Sequence, residues 1–249
     1  MNEALKVLLL AGGRGKRLEE NSEQMNKCML AVESKPTIEY NLERASELPI
    51  EEIIIIVGYR AEDIINHYGI SFNGKRIRYV LQLEQKGLVH AIECSREAIG
   101  GDDIFLMLGD ELLINSKHKE MYSFFHRQNI FGCCGVLLEE DKRRISRTYN
   151  IIQNGNQQIF RLIEKPENPL NNIMGTGNCI FKNEIFEYIE QTPINQKRGE
   201  KELPDLIQSS IDDGKIVKSF AICDSYFNIN SIRDLTEAEA YLKSKKSGA

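Results

Sequence analysis

Leu8-Leu9-Leu10-Ala11-Gly12-Gly13-Arg14-Gly15-Lys16-Arg17-Leu18, with Lys27 ten residues past Arg17, is the stretch on which the reading of this chain turns. Val7 to Leu10 has the make-up of a buried strand. It runs straight into glycines at 12, 13 and 15 and cations at 14, 16, 17 and 27. Glycine lacks a Cβ, so its backbone takes positive φ and lets successive N–H groups face one ligand. Amide nests of this kind bind anions, and arginine forks with lysine ammoniums neutralise phosphate charge. A strand that empties into an anion trap sized for a triphosphate opens an α/β, Rossmann-like sheet.

The pattern that follows agrees. Apolar runs at 6–10, 53–57, 77–82 and 104–108 alternate with helical periodicity at 37–48, 61–67 and 87–98. Such alternation predicts βαβ units and a mixed, mainly parallel sheet flanked by helices, with ligands at the carboxyl ends of the strands. Thr37, after Pro36, is placed to cap the first helix. Further strands are expected at 133–138, 149–153, 158–164, 174–181, 216–222 and 226–229, and helices at 116–127, 183–190, 201–212 and 231–244. Asn154-Gly155 between apolar segments signals a hairpin. The later strands are read as mixed and antiparallel extensions of the same sheet. No linker, repeat or low-complexity segment intervenes. One domain is therefore expected over 1–249, with a nucleotide-binding half (1–115) and an acceptor half (116–249). Lys243 to Ala249 reads as a fraying end.

A chain of 249 residues with 41% hydrophobic and 28% charged content describes an ordinary globule. A net charge of −5 argues against a nucleic-acid partner, which calls for a basic surface, so the local basic loop points to a small phosphorylated ligand. The six cysteines form no CxxC pair and suit reduced, buried thiols in a cytoplasmic protein. The amino terminus has no basic, then apolar, leader pattern. Runs such as Ile53 to Val57 fall far short of the ~20 residues that span a bilayer, so no membrane partner is expected.

Two common glycine-loop signatures fail. Lys16 is followed by Arg17, which breaks the Walker pattern, and Leu18 stands where a dinucleotide fingerprint needs its third glycine. What remains resembles the L-A-[GA]-G-x-G-T-R-[LM] signature, with a lysine ten residues on, of the sugar-1-phosphate nucleotidyltransferases. Gln82-Leu83-Glu84-Gln85-Lys86-Gly87-Leu88-Val89-His90-Ala91 is similar to that family's base-reading segment, and Leu108-Gly109-Asp110 to its metal motif. Glu164-Lys165-Pro166, Gly175-Thr176-Gly177, Arg198-Gly199-Glu200-Lys201-Glu202-Leu203-Pro204-Asp205 and Asn228-Ile229-Asn230 match further blocks in order.

The resemblance implies a nucleotide-diphospho-sugar transferase fold and a reaction between a nucleoside triphosphate and a sugar 1-phosphate. UTP or dTTP is favoured, and pyrophosphate is released. It assigns Leu10, Ala11, Gly12, Gly13, Arg14 and Gly15 to the nucleotide, Gln82 and Gly87 to its base, and Arg17, Lys27 and Asp110 to the chemistry. Asp110 and Asn228 would hold Mg²⁺; thymidylyltransferases of the family often carry aspartate at the latter position. Asn150, Glu164, Lys165, Thr176 and Gly177 would hold the sugar phosphate, Asn150 standing where a glycine is usual. Glu200 and Glu202 are read either as sugar contacts or as polar residues leading a helix. Glu111 is taken for a loop residue, His90 for a helix-face residue and Asp224 for a surface turn. Lys16 in place of threonine is unexplained. A glutamine amide can flip, so cytidylyl transfer stays open, as does a catalytically weak paralogue that senses sugar nucleotides. The resemblance allows a homo-oligomer, and no fused acyltransferase is expected.

Overall fold

The computed structural model describes residues 4–13 and 25–247, with side chains to residue 245. Elements run in order as β1 (Leu5–Leu10), a 3-10 turn (Lys27–Met29), β2 (Ala31–Val32), β3 (Lys35–Pro36), α1 (Thr37–Ser46), β4 (Glu52–Val57), α2 (Ala61–Tyr68), β5 (Ser71–Phe72) and β6 (Lys75–Leu81). Next come α3 (Leu88–Cys94), α4 (Arg96–Ile99), β7 (Asp103–Leu108), β8 (Glu111–Ile114), α5 (His118–Gln128), β9 (Gly132–Leu138) and α6 (Lys142–Ile145). Then follow β10 (Tyr149–Gln153), β11 (Ile159–Glu164), β12 (Ile173–Phe181) and a 3-10 helix (Asn183–Tyr188). The last are β13 (Ile194–Asn195), β14 (Glu200–Lys201), α7 (Leu203–Asp212), β15 (Val217–Ala221), β16 (Ser225–Asn228) and α8 (Ile232–Ser247).

β7, β1, β4 and β6 lie parallel at the centre of a ten-stranded sheet, with Leu10 level with Leu108 on one side and Ile56 on the other. Both faces of these strands are covered, which is why they read as unbroken apolar runs. Val7, Leu9, Ile53, Ile55, Phe105 and Met107 pack on one face with Ile38 and Leu42 of α1 and Phe125 of α5. Leu8, Leu10, Ile54, Ile56 and Leu106 pack on the other with Val89 and Ile92 of α3 and Leu206 of α7. Each such side chain contributes about 1.5–3 kcal/mol by leaving water.

The later strands do extend the same sheet, antiparallel, and one of them bends. Ile173 to Gly175 of β12 pair with β9 on one side, and Met174 and Gly175 with β10 on the other; Cys179 to Phe181 keep β9 but exchange β10 for β7. The register shifts between Gly175 and Cys179. Thr176-Gly177-Asn178 therefore bulges at the point where the strand changes partner, and the gap between β7 and β10 becomes a cleft. Bulges of this kind re-aim backbone beside functional sites.

Several local expectations fail for physical reasons. Thr37 is the first residue of α1, not its cap; its hydroxyl donates to Leu30 O at 2.8 Å, and Pro36 holds the cap position. The helical pattern at 87–98 divides at Ser95 into α3 and α4. The run 226–229 does not join the main sheet. Instead β16 pairs with β8, a strand too short to show as a pattern. The hairpin after β10 exists, but Asn154 Oδ1 caps a wider turn by accepting from Asn156 N and Gln158 N, and positive φ falls on Gln157. Helix α8 continues to Ser247, past the expected fraying point.

Candidate active site

Because β1, β4, β6 and β7 are parallel, all four empty at one edge. There Ala11 N donates to Ile56 O (2.8 Å), Gly109 N to Leu10 O (2.9 Å) and Gln82 N to Val57 O (2.8 Å). These bonds bring Gly12 and Gly13, Gln82, and Gly109-Asp110 around one mouth. Above it opens a cavity of about 790 Å³. Leu10, Ala11, Gly12, Gly13, Lys27, Gln82, Gly87, Asp110, Glu164, Lys165, Thr176, Gly177 and Asn228 all line it. Arg14, Gly15 and Arg17 lie outside the described residues.

Lys27 is set by its neighbour. Asn26 is fully buried, and its amide donates to Ala11 O (3.0 Å) and Tyr59 O (2.7 Å) while its oxygen accepts from Cys28 N (2.9 Å). Its own N–H donates to Asp63 Oδ2 at 2.7 Å. Asn26 is thus stapled to the exits of β1 and β4, and the next side chain, Lys27, lines the cleft. The Lys27 ammonium pairs with Asp110 Oδ2 and donates to Asn230 Oδ1 at 2.9 Å. Burial alone would lower its pKa, but the Asp110 carboxylate overrides this and holds the ammonium above the usual lysine value. Asn230 in turn donates to Asn228 Oδ1 at 2.6 Å. Ile229 N donates to Asp110 O at 2.8 Å, and Asn228 sits opposite Glu111 in the β8–β16 ribbon. Asp110 and Asn228 line the same cavity and are linked by way of Lys27 and Asn230. Asn230 completes that link, and the sequence reading passed over it.

Glu111 is not a loop residue. It opens β8, is buried, and its carboxylate turns away from Asp110 toward the bulge of β12. It accepts from Gly177 N (2.9 and 3.1 Å), Asn178 Nδ2 (2.9 Å) and the Tyr226 hydroxyl (2.6 Å). Burial pushes its pKa up to about 8 against the pull of those donors. At Gly177 any Cβ would run into the Leu108 side chain, so only glycine fits. One carboxylate therefore ties the bulge of β12 to the tip of β7. An acidic residue beside a metal motif was the signal for it, but its direction required the structure.

On one wall, Gln82 is 5% exposed and donates through Nε2 to Gly87 O at 3.1 Å. The same Nε2 lies 3.0 Å from His90 Nδ1. Gly87 has φ of 93°, and a Cβ there would meet the Glu200 side chain. On the opposite wall, Lys165 pairs with Glu164. Arg198 contacts Glu164 (3.5 Å), Glu200 and Glu202 (2.9 Å). Burial, with Glu164 adding to it, lifts Glu202 to about 7. Both Glu200 and Glu202 line the cavity, as do Arg147 and Tyr149.

Two assignments change in content. Thr176 lines the cavity with its backbone, because its hydroxyl donates to Gly135 O at 3.0 Å and accepts from Asn178 N at 3.2 Å. Asn150 does not line it at all. It lies in the middle of β10 without positive φ, fully buried. Its amide donates to Asn171 Oδ1 and Ile173 O (both 2.8 Å) and its oxygen accepts from Leu170 N (2.9 Å). Asn150 holds the loop before β12 and is not among the residues lining this cavity.

Among the described residues no helix is long and apolar enough to cross a membrane. The family model described as nucleotidyl transferase matches residues 6–245. The low-salt glycan biosynthesis nucleotidyltransferase Agl11 of Haloferax volcanii is 32% identical over 98% of this chain and 67% of its own length. The UTP–glucose-1-phosphate uridylyltransferase AglF of the same organism is 31% identical over 98% of this chain and 99% of its own. Among solved structures, a UDP-glucose pyrophosphorylase complexed with UDP-glucose superposes with a TM-score of 0.87 at 23% identity, covering 97% of this chain and 99% of that one, a likeness of fold. With a strand-end cleft, a stapled lysine beside an aspartate and a match over nearly its whole length, the chain belongs to the nucleotidyl transferase family and is an enzyme of that class.

Proposed function

We propose that the chain joins UTP or dTTP to a sugar 1-phosphate. An oxygen of the sugar phosphate attacks the α-phosphorus, the bond to the β-phosphate oxygen breaks, and pyrophosphate leaves. The observation that carries this is the Lys27 ammonium, held against Asp110 and Asn230 at the mouth where the glycine turn leaves β1. Catalysis in such a displacement is alignment and charge neutralisation, without a protein nucleophile. Lys27 meets the α-phosphate and the incoming oxygen, Gln82 and Gly87 seat the base, and Lys165 draws the sugar phosphate from the far wall. Glu164, Glu200 and Glu202 supply acceptors for hydroxyls of the acceptor. Arg17 stabilises the departing pyrophosphate.

Asp110 and Asn228 fit a magnesium ion. Both bring a hard side-chain oxygen to the lining of one cavity, and a cation already stands on Asp110 in the form of Lys27. When bound there, magnesium withdraws charge from phosphate oxygens. All six cysteines are free, which supports a reducing cytoplasmic setting.

The test is pyrophosphate release from five nucleoside triphosphates crossed with hexose and hexosamine 1-phosphates, in magnesium. Turnover with UTP or dTTP is expected, falling by orders of magnitude in Lys27→Ala and Asp110→Ala with an unchanged thermal melt. Near-wild-type rates in either variant refute the roles given. No turnover with any pair favours the alternative of a sugar-nucleotide sensor.

A further inference from the structure

The Gln82 side chain has one amide nitrogen with two protons, and the fold supplies two acceptors for them. Gly87 O is an acceptor whatever the side chains do, and it lies 3.1 Å from Nε2. His90 Nδ1 lies 3.0 Å from the same nitrogen. Gly87 O fixes which end of the amide is nitrogen, and that choice makes His90 Nδ1 an acceptor. The imidazole proton is then on Nε2, toward Cys94 Sγ at 3.8 Å. Both NH₂ protons are spent inside the protein. Only Oε1 remains for a ligand, on the side of Gly12.

We infer that His90 is a specificity-determining positioning residue, which with Gly87 O locks Gln82 so that the site reads uracil or thymine and rejects cytosine. This rests on the proposed UTP or dTTP chemistry. On the Watson–Crick edge of uracil or thymine the one donor is N3–H, so a lone acceptor that reads either base reads that atom. A cytosine seated identically turns the N3 lone pair on Oε1, and two acceptors face each other in a dry site. A glutamine free to rotate would relieve the conflict by offering its NH₂. The locked one cannot. Sites that lose a required hydrogen bond discriminate far better than sites that lose a methylene. His90 sits on α3 one turn beyond Gly87, so a single helix start delivers both halves of the lock.

The experiment measures kcat/KM for UTP and CTP, with a fixed sugar 1-phosphate, in wild type, His90→Leu and His90→Asp. Leucine offers no acceptor; aspartate offers acceptors only. Wild type is expected to favour UTP, leucine to shrink the UTP/CTP ratio about tenfold or more, and aspartate to keep it, whatever either does to the absolute rate. A histidine that merely packed α3 would leave the ratio unmoved. An unchanged ratio in His90→Leu, or an equal loss in both variants, overturns the lock. Wild type that turns over CTP as well as UTP overturns it too, while leaving the nucleotidyltransferase reading standing. Absence of turnover with every nucleotide removes that reading and the inference with it. Nitrogen-15 NMR of the wild-type imidazole supplies a readout independent of variant folding: the lock requires the proton on Nε2, and a proton on Nδ1 refutes it.

Discussion

Acidification should unfold this protein partly through one histidine, and a single substitution should remove that component. His118, at the start of α5, is 3% exposed and lies 2.9 Å through Nε2 from Asn178 Oδ1. The Asn178 amide nitrogen is committed to Glu111, so its oxygen faces His118 and the histidine donates from Nε2–H. Nδ1 has no partner among the described residues. Burial lowers the His118 pKa to about 4; Asn178 pulls it the other way, and Arg44 and Glu47 on the α1 side oppose one another. Between its folded value and the unfolded value of ~6.5, the unfolded chain binds the extra proton. Stability from this group is therefore complete above the unfolded value and drains away as pH falls toward about 4. Integration from pH 7 down to about pH 4.5 gives a loss on the order of 2–3 kcal/mol. His118→Gln keeps an Nε2 donor in the same place and does not titrate. Urea unfolding of both chains at the two pH values reads the difference directly. The variant should gain on wild type by about 2–3 kcal/mol as pH falls, whatever its offset at neutrality. A difference in unfolding free energy that stays flat with pH refutes the assignment of a neutral, buried, titrating His118.

Other outcomes follow from the same contacts. Glu111→Ala leaves Gly177 N–H, the Asn178 amide and the Tyr226 hydroxyl without their buried acceptor; we expect a cost of at least about 1–3 kcal/mol in chemical denaturation and a raised KM for the sugar phosphate more than for the nucleotide. Asn26→Ala removes three bonds around the exit of β1, so turnover should fall at least tenfold because Lys27 loses its anchor, with a stability loss of about 2–3 kcal/mol by thermal melt. Asn150→Ala should cost similar stability, about 2–3 kcal/mol, yet leave kcat/KM for the acceptor within twofold at a temperature where the chain stays folded, since the residue touches no cavity. An acceptor-specific loss there would return Asn150 to the site.

Most of the sheet could be read from composition because its central strands are covered on both faces. Ile53 to Val57 has no other use in a chain this polar. The glycine turn, Gln82 and Asp110 could be expected to meet, since parallel strands deliver their carboxyl ends to one edge; Lys165 reaches the same cavity from the end of antiparallel β11, which that rule does not cover. What sequence could not reveal was direction. Glu111 and Asp110 are neighbours in the chain and face opposite ways once β8 begins, one toward Gly177 and one toward Lys27. Thr37 and Asn150 belong to residue types that cap or tolerate turns, yet tertiary partners claim both. His90 looked like a helix-face residue because its partner, Gln82, lies across a turn whose geometry depends on positive φ at Gly87.

β12 has a mechanical consequence. It is hydrogen-bonded to β7 over one stretch and to β10 over another, with β9 alongside both. The β7 side of the cavity and the β10 side are thus welded through one continuous backbone. Opening them like a clamshell would tear ladder bonds out of the middle of a buried sheet. The spacing between the two walls is consequently built into the scaffold before any ligand arrives.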